Sequence, residues 1–327
     1  MQSTRNLASD VITFSHEPVL LNEVLETLDI KPGSSVVDCT MGGAGHSIAM
    51  IEKILPRGSF IGIDQDPIAI ETAKTRITNY LTDLRHGSGF QFYNENFRNI
   101  DQIFEKYKLR KVDAILADIG VSSHQIDTPE RGFSYMQEAP LDMRMSDKSK
   151  KRALHLVNEL PEKTLYEIIK NYGEEKHAKS IARNIVTSRP IADSTLVLAQ
   201  ICINSVPSSY YKTGGHPAKR TFQALRIYLN NELDALEEFI PRAIEVLKTG
   251  GRLAIISFHS LEDRIVKQAF KKLESSCLCP PKTPKCICGH KARIKILTKK
   301  PIIPTNEEIK RNPRSSSAKL RVIEKIV

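Results

Sequence analysis

The sequence predicts an α/β protein whose parallel sheet carries helices on both faces and is interrupted by a helical insertion. Three observations predict this fold class. Strand and helix patterns alternate over the first third of the chain, amphipathic helical patterns alone follow, and strand patterns then return. A chain of 327 residues can form one domain that carries another. We therefore assign residues 1–133 and 214–327 to the sheet-containing core and residues 134–213 to an inserted all-helical domain.

The first 133 residues contain four strand patterns that alternate with helical patterns. The strands are short apolar runs, as expected where both faces of a parallel sheet are buried. The helical segments are longer and repeat apolar residues every three to four positions. The predicted strands are SSVVDC, GSFIGID, FQFYNENF and KVDAILADIG, and the predicted helices are HSIAMIEKIL, PIAIETAKTRITNYL and NIDQIFEKY.

Helical patterns dominate the insertion, and both patterns occur after it. The insertion contains TLYEIIKNYG, HAKSIARNIVTSR and STLVLAQICINSV. The segment RTFQALRIYLNNELDALEEF is predicted to be one helix; Pro241 is expected to start a new turn, and Gly250 and Gly251 to end that helix. RLAIISF is then a strand, LEDRIVKQAFKKLE a helix, and RIKILTKK and AKLRVIEKIV are late strands.

Composition and charge restrict the classes of protein to consider. No apolar run approaches the ~20 residues that span a bilayer, and the first residues lack the apolar centre of a signal peptide, so we expect a cytoplasmic protein with no membrane partner. The net charge is +10, and residues 264–327 hold 17 Lys and Arg against 4 Asp and Glu. This basic segment indicates a polyanionic partner such as nucleic acid, or else a solubilising tail.

A glycine turn after the first strand indicates a nucleotide-containing cofactor. Gly43 and Gly45 match the first two glycines of the dinucleotide fingerprint, but Ile48 occupies the third place. Asp64 ends the second strand, where a carboxylate binds ribose hydroxyls or caps the next helix. A dinucleotide and S-adenosylmethionine both fit this pattern. Asp38, just before the turn, would repel a pyrophosphate and suits an ammonium group, which favours S-adenosylmethionine.

The fourth strand leads into the segment DIGVSSHQID, which belongs where cofactor and substrate meet in such sheets. This segment and seven others resemble the family of ribosomal RNA small-subunit methyltransferase H. The resemblance extends from HEPVLLNEVL to NPRSSSAKLRV, nearly the whole chain. The other segments are GIDQDP, RGFSY, PLDMRM, YGEEKHAKSIA, HPAKRTFQALRIYLNNEL, GGRLAIISFHSLEDRIVK and NPRSSSAKLR.

The resemblance implies a class I, Rossmann-like methyltransferase sheet with an inserted helical domain, and S-adenosylmethionine as cofactor. It implies methylation of N4 of a cytidine in the decoding region of 16S ribosomal RNA, with that RNA or a ribosomal particle as partner. Alternatives are a non-catalytic RNA-binding or assembly protein, a DNA amino-methyltransferase and a nicotinamide-dependent dehydrogenase. Many DNA amino-methyltransferases have an Asp/Asn-Pro-Pro-aromatic loop where this chain has DIGVSS, which disfavours DNA as partner.

The resemblance also implies site residues. Asp64 would bind the ribose and Phe97 would lie against the adenine, although core packing also fits Phe97. We expect Asp118, or a backbone carbonyl after it, to accept a hydrogen bond from the attacking amine. Two positions depart from the family pattern: Ala44 stands where many members have glycine, and His124 where proline is common. The implied cofactor-binding residues are Ala44, Gly45, His46, Asp64, Phe97, Asp118 and Gln125.

Basic side chains in three segments are candidates for RNA binding. They fit contacts to phosphates, but also a solvated surface or, in SFHSLEDR, the start of a helix with Ser260 as its N-cap. The candidates are His216, Lys219, Arg220, His259, Arg264, Arg314, Lys319 and Arg321.

Four of the six cysteines are clustered in CLCPPKTPKCICGH. Their pattern is Cys-x-Cys, six residues, Cys-x-Cys, which is tighter than the Cys-x2-Cys spacing of most structural zinc sites. Clustered thiols in a reducing compartment indicate metal before disulfide. The sequence therefore predicts a structural zinc at Cys277, Cys279, Cys286 and Cys288, with four reduced thiols in a loop as the alternative.

Overall fold

The computed structural model describes residues 17–84, 89–212, 215–280 and 287–327. Its centre is one seven-stranded sheet in the order β3-β2-β1-β4-β5-β7-β6. The first five strands are parallel, and β7 runs antiparallel to β5 and β6. The strands are β1 Ser35–Asp38, β2 Ser59–Asp64, β3 Phe90–Asn94, β4 Val112–Asp118, β5 Leu247–Ser257, β6 Ile294–Ile296 and β7 Lys319–Lys325. The predicted α/β class is confirmed.

Helices cover both faces of the sheet, and four of them lie in the insertion. The helices of the core are α1 Leu21–Leu28, α2 Gly45–Ile54, α3 Pro67–Leu84, α4 Ile100–Lys106, α5 Ser123–Asp127, α10 Ala218–Asn230, α11 Glu232–Val246, α12 Ser260–Glu274 and α13 Asn306–Arg311. Those of the insertion are α6 Ala153–Glu159, α7 Glu162–Gly173, α8 Ala178–Thr187 and α9 Thr195–Asn204.

Alternation along each strand produces two apolar cores. Val36 faces one core, which includes residues of α1, α2 and α3, whereas Val37 faces the other, which includes residues of α4, α11 and α12. Successive side chains of a strand point to opposite faces, so a central strand covered on both faces must be apolar throughout. This explains why the strand patterns are continuous apolar runs.

The inserted helices pack around a third core, to which α10 also contributes. Leu165, Ile181 and Leu198 of the insertion share this core with Phe222 and Leu225 of α10. Between residues 134 and 212 the described chain contains helices and no strand. The division between residues 213 and 214 stays a prediction, because α10 follows that division and yet belongs to the same core.

Two predicted boundaries after the insertion are wrong. The segment predicted as one helix is split at Asn231, which has φ 50° and separates α10 from α11. Helix α11 then continues through Pro241 to Val246, because its face with Phe239 and Ile244 is buried in the core. The glycines at 250 and 251 lie inside β5 and do not end a helix.

No helix within the described part of the chain has both the length and the apolar character that crossing a bilayer requires.

Candidate active site

A cavity of about 540 Å³ opens at the carboxyl ends of β1, β2 and β4. Its volume lies in the range of small-molecule sites, and its place is where open parallel sheets bind ligands. Residues from the sheet side include Thr40, Asp64 and Asp118, and α10 contributes Gln223 and Arg226 from the opposite side. The cavity therefore brings the strand ends of the core and the first helix after the insertion together.

The glycine turn forms one wall, but not with every predicted residue. Gly45 and His46 line the cavity, whereas Ala44 is fully buried in the core and has φ 62°. The methyl group of Ala44 packs in the apolar core, and contact between Ala44 and a cofactor stays a prediction. A Cβ at Gly45 would lie 2.4 Å from Cγ of Pro18, so this glycine is required by the close approach of the preceding segment.

Asp38 does not face the cavity, contrary to its expected role beside an ammonium group. Its carboxylate accepts hydrogen bonds from the Ser47 hydroxyl (2.6 Å) and the Thr40 amide (3.1 Å), and 1% of the residue is exposed. Burial raises the pKa of Asp38. The side chain ties the end of β1 to α2.

Asp64 lies at the end of β2 with its carboxylate at the cavity. Its oxygens accept hydrogen bonds from the amides of Gly42 (3.1 Å) and Asp66 (2.9 Å), which leaves further lone pairs directed elsewhere. Burial, the main cause, raises the pKa of Asp64 to about 7. The cap of α3 is Asp66, whose carboxylate accepts from the Ile68 amide, so the alternative role of Asp64 as a helix cap does not hold.

Phe97 and Gln125 both line the cavity while making contacts within the protein. The Phe97 ring packs edge-to-face on Phe239 at 5.1 Å, so it belongs to the core and to the wall at once. The Gln125 amide group donates to Asp66 (2.8 Å) and accepts from the Ser122 amide (3.1 Å). Gln125 thus fixes the loop after β4, and its contact with a cofactor stays a prediction.

Asp118 ends β4 and lines the cavity. Its Oδ1 atom is buried and has no hydrogen-bond partner, while Oδ2 lies 3.7 Å from Nδ1 of His46. Burial raises the pKa of Asp118 to about 8, and the negative charges of Asp38 and Glu262 add to that rise. A buried oxygen without a partner is costly, which is typical of a group that meets a ligand.

His46 bridges this carboxyl group and the segment before α1. Its Nε2 lies 2.9 Å from the carbonyl oxygen of Val19. The ring is therefore fixed between Val19 and Asp118, beside the glycine turn, and 7% of the residue is exposed.

Two charged networks were not predicted, one on the cavity wall and one bound to the wall residue Gln125. Arg226 binds Glu232 through two bonds of 2.9 Å across the α10–α11 break, and both residues line the cavity. Asp66 is held by Arg131 at 2.7 Å as well as by Gln125. Arg226 lies in the segment HPAKRTFQALRIYLNNEL, and Arg131 is the first residue of RGFSY. Spacing along the chain does not indicate the carboxylate partner of either arginine.

The helix start expected in SFHSLEDR is capped, but its N-cap is His259 and not Ser260. Its ring accepts from the Glu262 amide, and the Glu262 carboxylate accepts from the amides of Phe258 and His259. His259 also lines the cavity. Nε2 of His259 lies 3.1 Å from Oε1 of Glu262, which is fully buried.

The candidates for RNA binding near α10 lie along one rim. Lys219 is exposed and lines the cavity, and the His216 ring stacks on Tyr135 at 4.6 Å. Arg220 donates to the backbone carbonyl of Glu174, and Arg264 binds the Glu174 carboxylate at 3.0 Å with 54% of its side chain exposed. The structure thus brings Arg220 and Arg264 together at Glu174.

The three candidates near the C-terminus differ in how far their side chains are exposed. Arg314 lines the cavity mouth and binds Asp127 through both terminal nitrogens. Lys319 and Arg321 both bind Asp263, but only 10% of the Arg321 side chain is exposed. The buried pair packs α12 against β7, which corrects the expectation that Arg321 contacts phosphate.

The cysteine cluster lies apart from the cavity, after α12. Cys277, Cys279 and Cys288 come together there. Cys286, the fourth predicted ligand, lies outside the described residues.

Comparison with known proteins supports a single family. A family model described as the MraW methylase family matches residues 13–326. The chain belongs to this family. It is 51% identical over 316 residues to ribosomal RNA small subunit methyltransferase H of Clostridioides difficile (strain 630), with 96% of this chain and 99% of the relative covered. It is 49% identical over 318 residues to the protein of the same name from Heliobacterium modesticaldum, with 96% and 100% covered.

Membership of the MraW methylase family confirms the Rossmann-like methyltransferase fold and S-adenosylmethionine as cofactor. The residues present fit that cofactor. Asp64 has lone pairs left for hydroxyl groups, Asp118 has a buried oxygen without a partner, and the cavity between them has a suitable volume.

Proposed function

We propose that this protein transfers the methyl group of S-adenosylmethionine to N4 of a cytidine in the decoding region of small-subunit ribosomal RNA. The names of the relatives support ribosomal RNA of the small subunit as the substrate. The observation that carries the chemistry is Asp118, whose buried Oδ1 has no hydrogen-bond partner at the carboxyl end of β4.

The walls of the cavity would hold the two ends of the cofactor. Asp64 accepts hydrogen bonds from the ribose hydroxyls, and the Phe97 ring offers an apolar face to the adenine. The turn at Gly45 and His46 borders the amino-acid end. Ala44 takes part through its backbone only, because its side chain is buried in the core.

The amino group of cytosine needs help to attack, because its lone pair is delocalised into the ring. S-adenosylmethionine, when bound, supplies an electrophilic methyl group on a sulfonium. In its ionised form, Asp118 accepts a hydrogen bond from the amine at Oδ1. This bond localises the lone pair on nitrogen, and the carboxylate receives the proton that must leave. The cavity walls hold the amine in line at attack distance.

The basic rim would hold the RNA. Lys219 and Arg314 line the cavity, and the Arg264 side chain is 54% exposed. Glu174 and Asp127 currently bind two of these arginines, and phosphates would replace those carboxylates as partners.

Labelled S-adenosylmethionine and small ribosomal subunits that lack the modification test the proposal. We expect label on one cytidine, and mass spectrometry of RNA fragments locates it at N4. Label on DNA or protein would support another methyltransferase activity, and no label with intact cofactor binding would support a non-catalytic assembly role; either outcome rejects the proposal.

Two variants test the part that Asp118 plays. Asp118→Ala should bind cofactor and lower the methylation rate by about 10²-fold or more. Asp113→Ala is the matched control, because Asp113 lies at the opposite end of the same strand, bound to Lys248 and the Ser35 amide. An Asp118→Ala protein that methylates at the wild-type rate would contradict the assignment.

A further inference from the structure

The loop between α12 and β6 brings three thiols together outside the active site. The Sγ atoms of Cys277 and Cys288 are 3.8 Å apart, and those of Cys277, Cys279 and Cys288 all lie within 4.8 Å of one another. Two thiols are two residues apart in sequence and the third is nine residues further on. The loop therefore closes on itself through its sulfur atoms.

The spacing of these sulfur atoms matches a tetrahedral metal site. Zn–S bonds of ~2.3 Å at tetrahedral angles place neighbouring sulfur atoms about 3.8 Å apart. A disulfide would need an S–S distance of about 2.05 Å. The Cys277–Cys288 distance therefore fits two ligands of one ion and not a covalent bond between them.

Backbone amides around the cluster point at the sulfur atoms. The amide of Leu278 donates to Sγ of Cys288 (3.3 Å), that of Cys279 to Sγ of Cys277 (3.4 Å), and that of Ile287 to Sγ of Cys279 (3.5 Å). Each of these three thiols thus accepts an amide hydrogen bond. Such bonds stabilise negative charge on sulfur and orient ligands around a metal.

We propose that Cys277, Cys279 and Cys288 bind a structural zinc ion. Zinc favours tetrahedral thiolate sites and brings no redox chemistry of its own. The sequence prediction for the fourth ligand is Cys286, which lies outside the described residues.

The described apolar residues beside the thiols bury little surface. Leu278 and Ile287 are 43% and 85% exposed, so no hydrophobic core forms around them. Segments that cannot bury apolar surface are stabilised by metals or disulfides instead. The ends of the loop are fixed on α12, where the His290 ring and the Arg293 amide contact the carbonyls of Lys272 and Leu273.

The zinc has a structural and not a catalytic role because of its distance from the cavity. His259 lines the cavity at the start of α12, and the cluster follows the other end of this 15-residue helix. At 1.5 Å per residue the helix separates them by roughly 22 Å. Loss of zinc should loosen the α12–β6 connection and leave cofactor binding intact.

Elemental analysis of the full-length protein, purified under reducing conditions from zinc-supplemented culture, tests the proposal. We expect about one zinc per chain in the wild type. Cys277→Ser and Cys288→Ser should each lose most of it. Cys202→Ala is the matched control, because this thiol is buried in the insertion and far along the chain from the cluster, and it should keep its zinc. Wild-type protein with little zinc, or with stoichiometric iron instead, overturns the proposal.

Cobalt substitution of the wild type avoids any dependence on how the variants fold. Co²⁺ exchanged into the protein should give an intense thiolate-to-cobalt charge-transfer band and the visible bands of a tetrahedral ion, and added Zn²⁺ should abolish both. Absence of these bands overturns the proposal. So does a protein mass that is lower by two hydrogen atoms and shows a Cys–Cys disulfide in the cluster. Titration of the metal-free protein with S-adenosylmethionine should give an unchanged Kd; a large loss of affinity would contradict the structural role.

Discussion

Replacing Asp118 with asparagine should stabilise the protein at alkaline pH while impairing its activity. The Asp118 side chain lines the cavity and is 24% exposed, while its Oδ1 is buried and has no hydrogen-bond partner. Burial first, and then the charges of Asp38 and Glu262, raise its pKa from 3.8 to about 8. The folded protein therefore binds this proton more tightly than the unfolded chain does. Stability is lost progressively as pH rises between these two values.

The magnitude follows from the size of the pKa shift. About four units at 1.36 kcal/mol each set an upper limit of about 6 kcal/mol for the charged state. Structural relaxation and water reduce such costs, and single stabilising substitutions commonly add up to about 2 kcal/mol. At about 2 °C per kcal/mol for a large domain, we expect Tm to rise by roughly 2–4 °C at pH 8.5.

Thermal unfolding without cofactor, measured from pH 4.5 to pH 9, checks this. The Tm difference between Asp118→Asn and the wild type should grow from pH 4.5 to about 8 and stay constant above that. Asp113→Asn, at the other end of β4, should show no such growth. A Tm difference for Asp118→Asn that does not change with pH would refute the conclusion that the fold raises the pKa of Asp118.

Three further predictions concern the cofactor and RNA surfaces. Asp64→Asn should weaken S-adenosylmethionine binding by about 10- to 100-fold in calorimetry, because a charged hydrogen bond is worth ~1.5–3 kcal/mol; a Kd within twofold of wild type contradicts this. Ala44→Gly should leave the same Kd unchanged, since its methyl group faces the core, and a tenfold change would place it at the cavity. Arg264→Ala should lower the salt dependence of RNA binding by about one phosphate contact without changing Tm. Arg321→Ala should lower Tm and leave the salt dependence unchanged. The reverse pattern would contradict the assignment of Arg264 to RNA binding and of Arg321 to folding stability.

The sequence by itself determined the fold class and the end of the sheet that carries the chemistry. Apolar runs separated by amphipathic segments predict a parallel sheet, because only a strand buried on both faces is apolar throughout. Residues at the ends of parallel strands must meet at one edge. Asp64 and Asp118 could therefore be placed near each other from their positions in GSFIGID and KVDAILADIG.

The sequence did not determine which way individual side chains point. Asp38 and Ala44 flank the glycine turn, yet one binds Ser47 and the other packs into the core. Arg321 lies in a basic segment, yet Asp263 of α12 holds it below the surface. In each case the deciding partner comes from another element, so no local pattern contains it.

Tertiary structure also decided how the core and the insertion share the site. Helix α10 packs on the inserted helices and turns Gln223 and Arg226 toward the cavity, and the break at Asn231 brings Glu232 within 2.9 Å of Arg226. Periodicity identifies the apolar face of a helix but not the surface that covers it. The sequence thus specifies the elements and the edge where they end, whereas packing between distant elements selects the side chains that line the cavity.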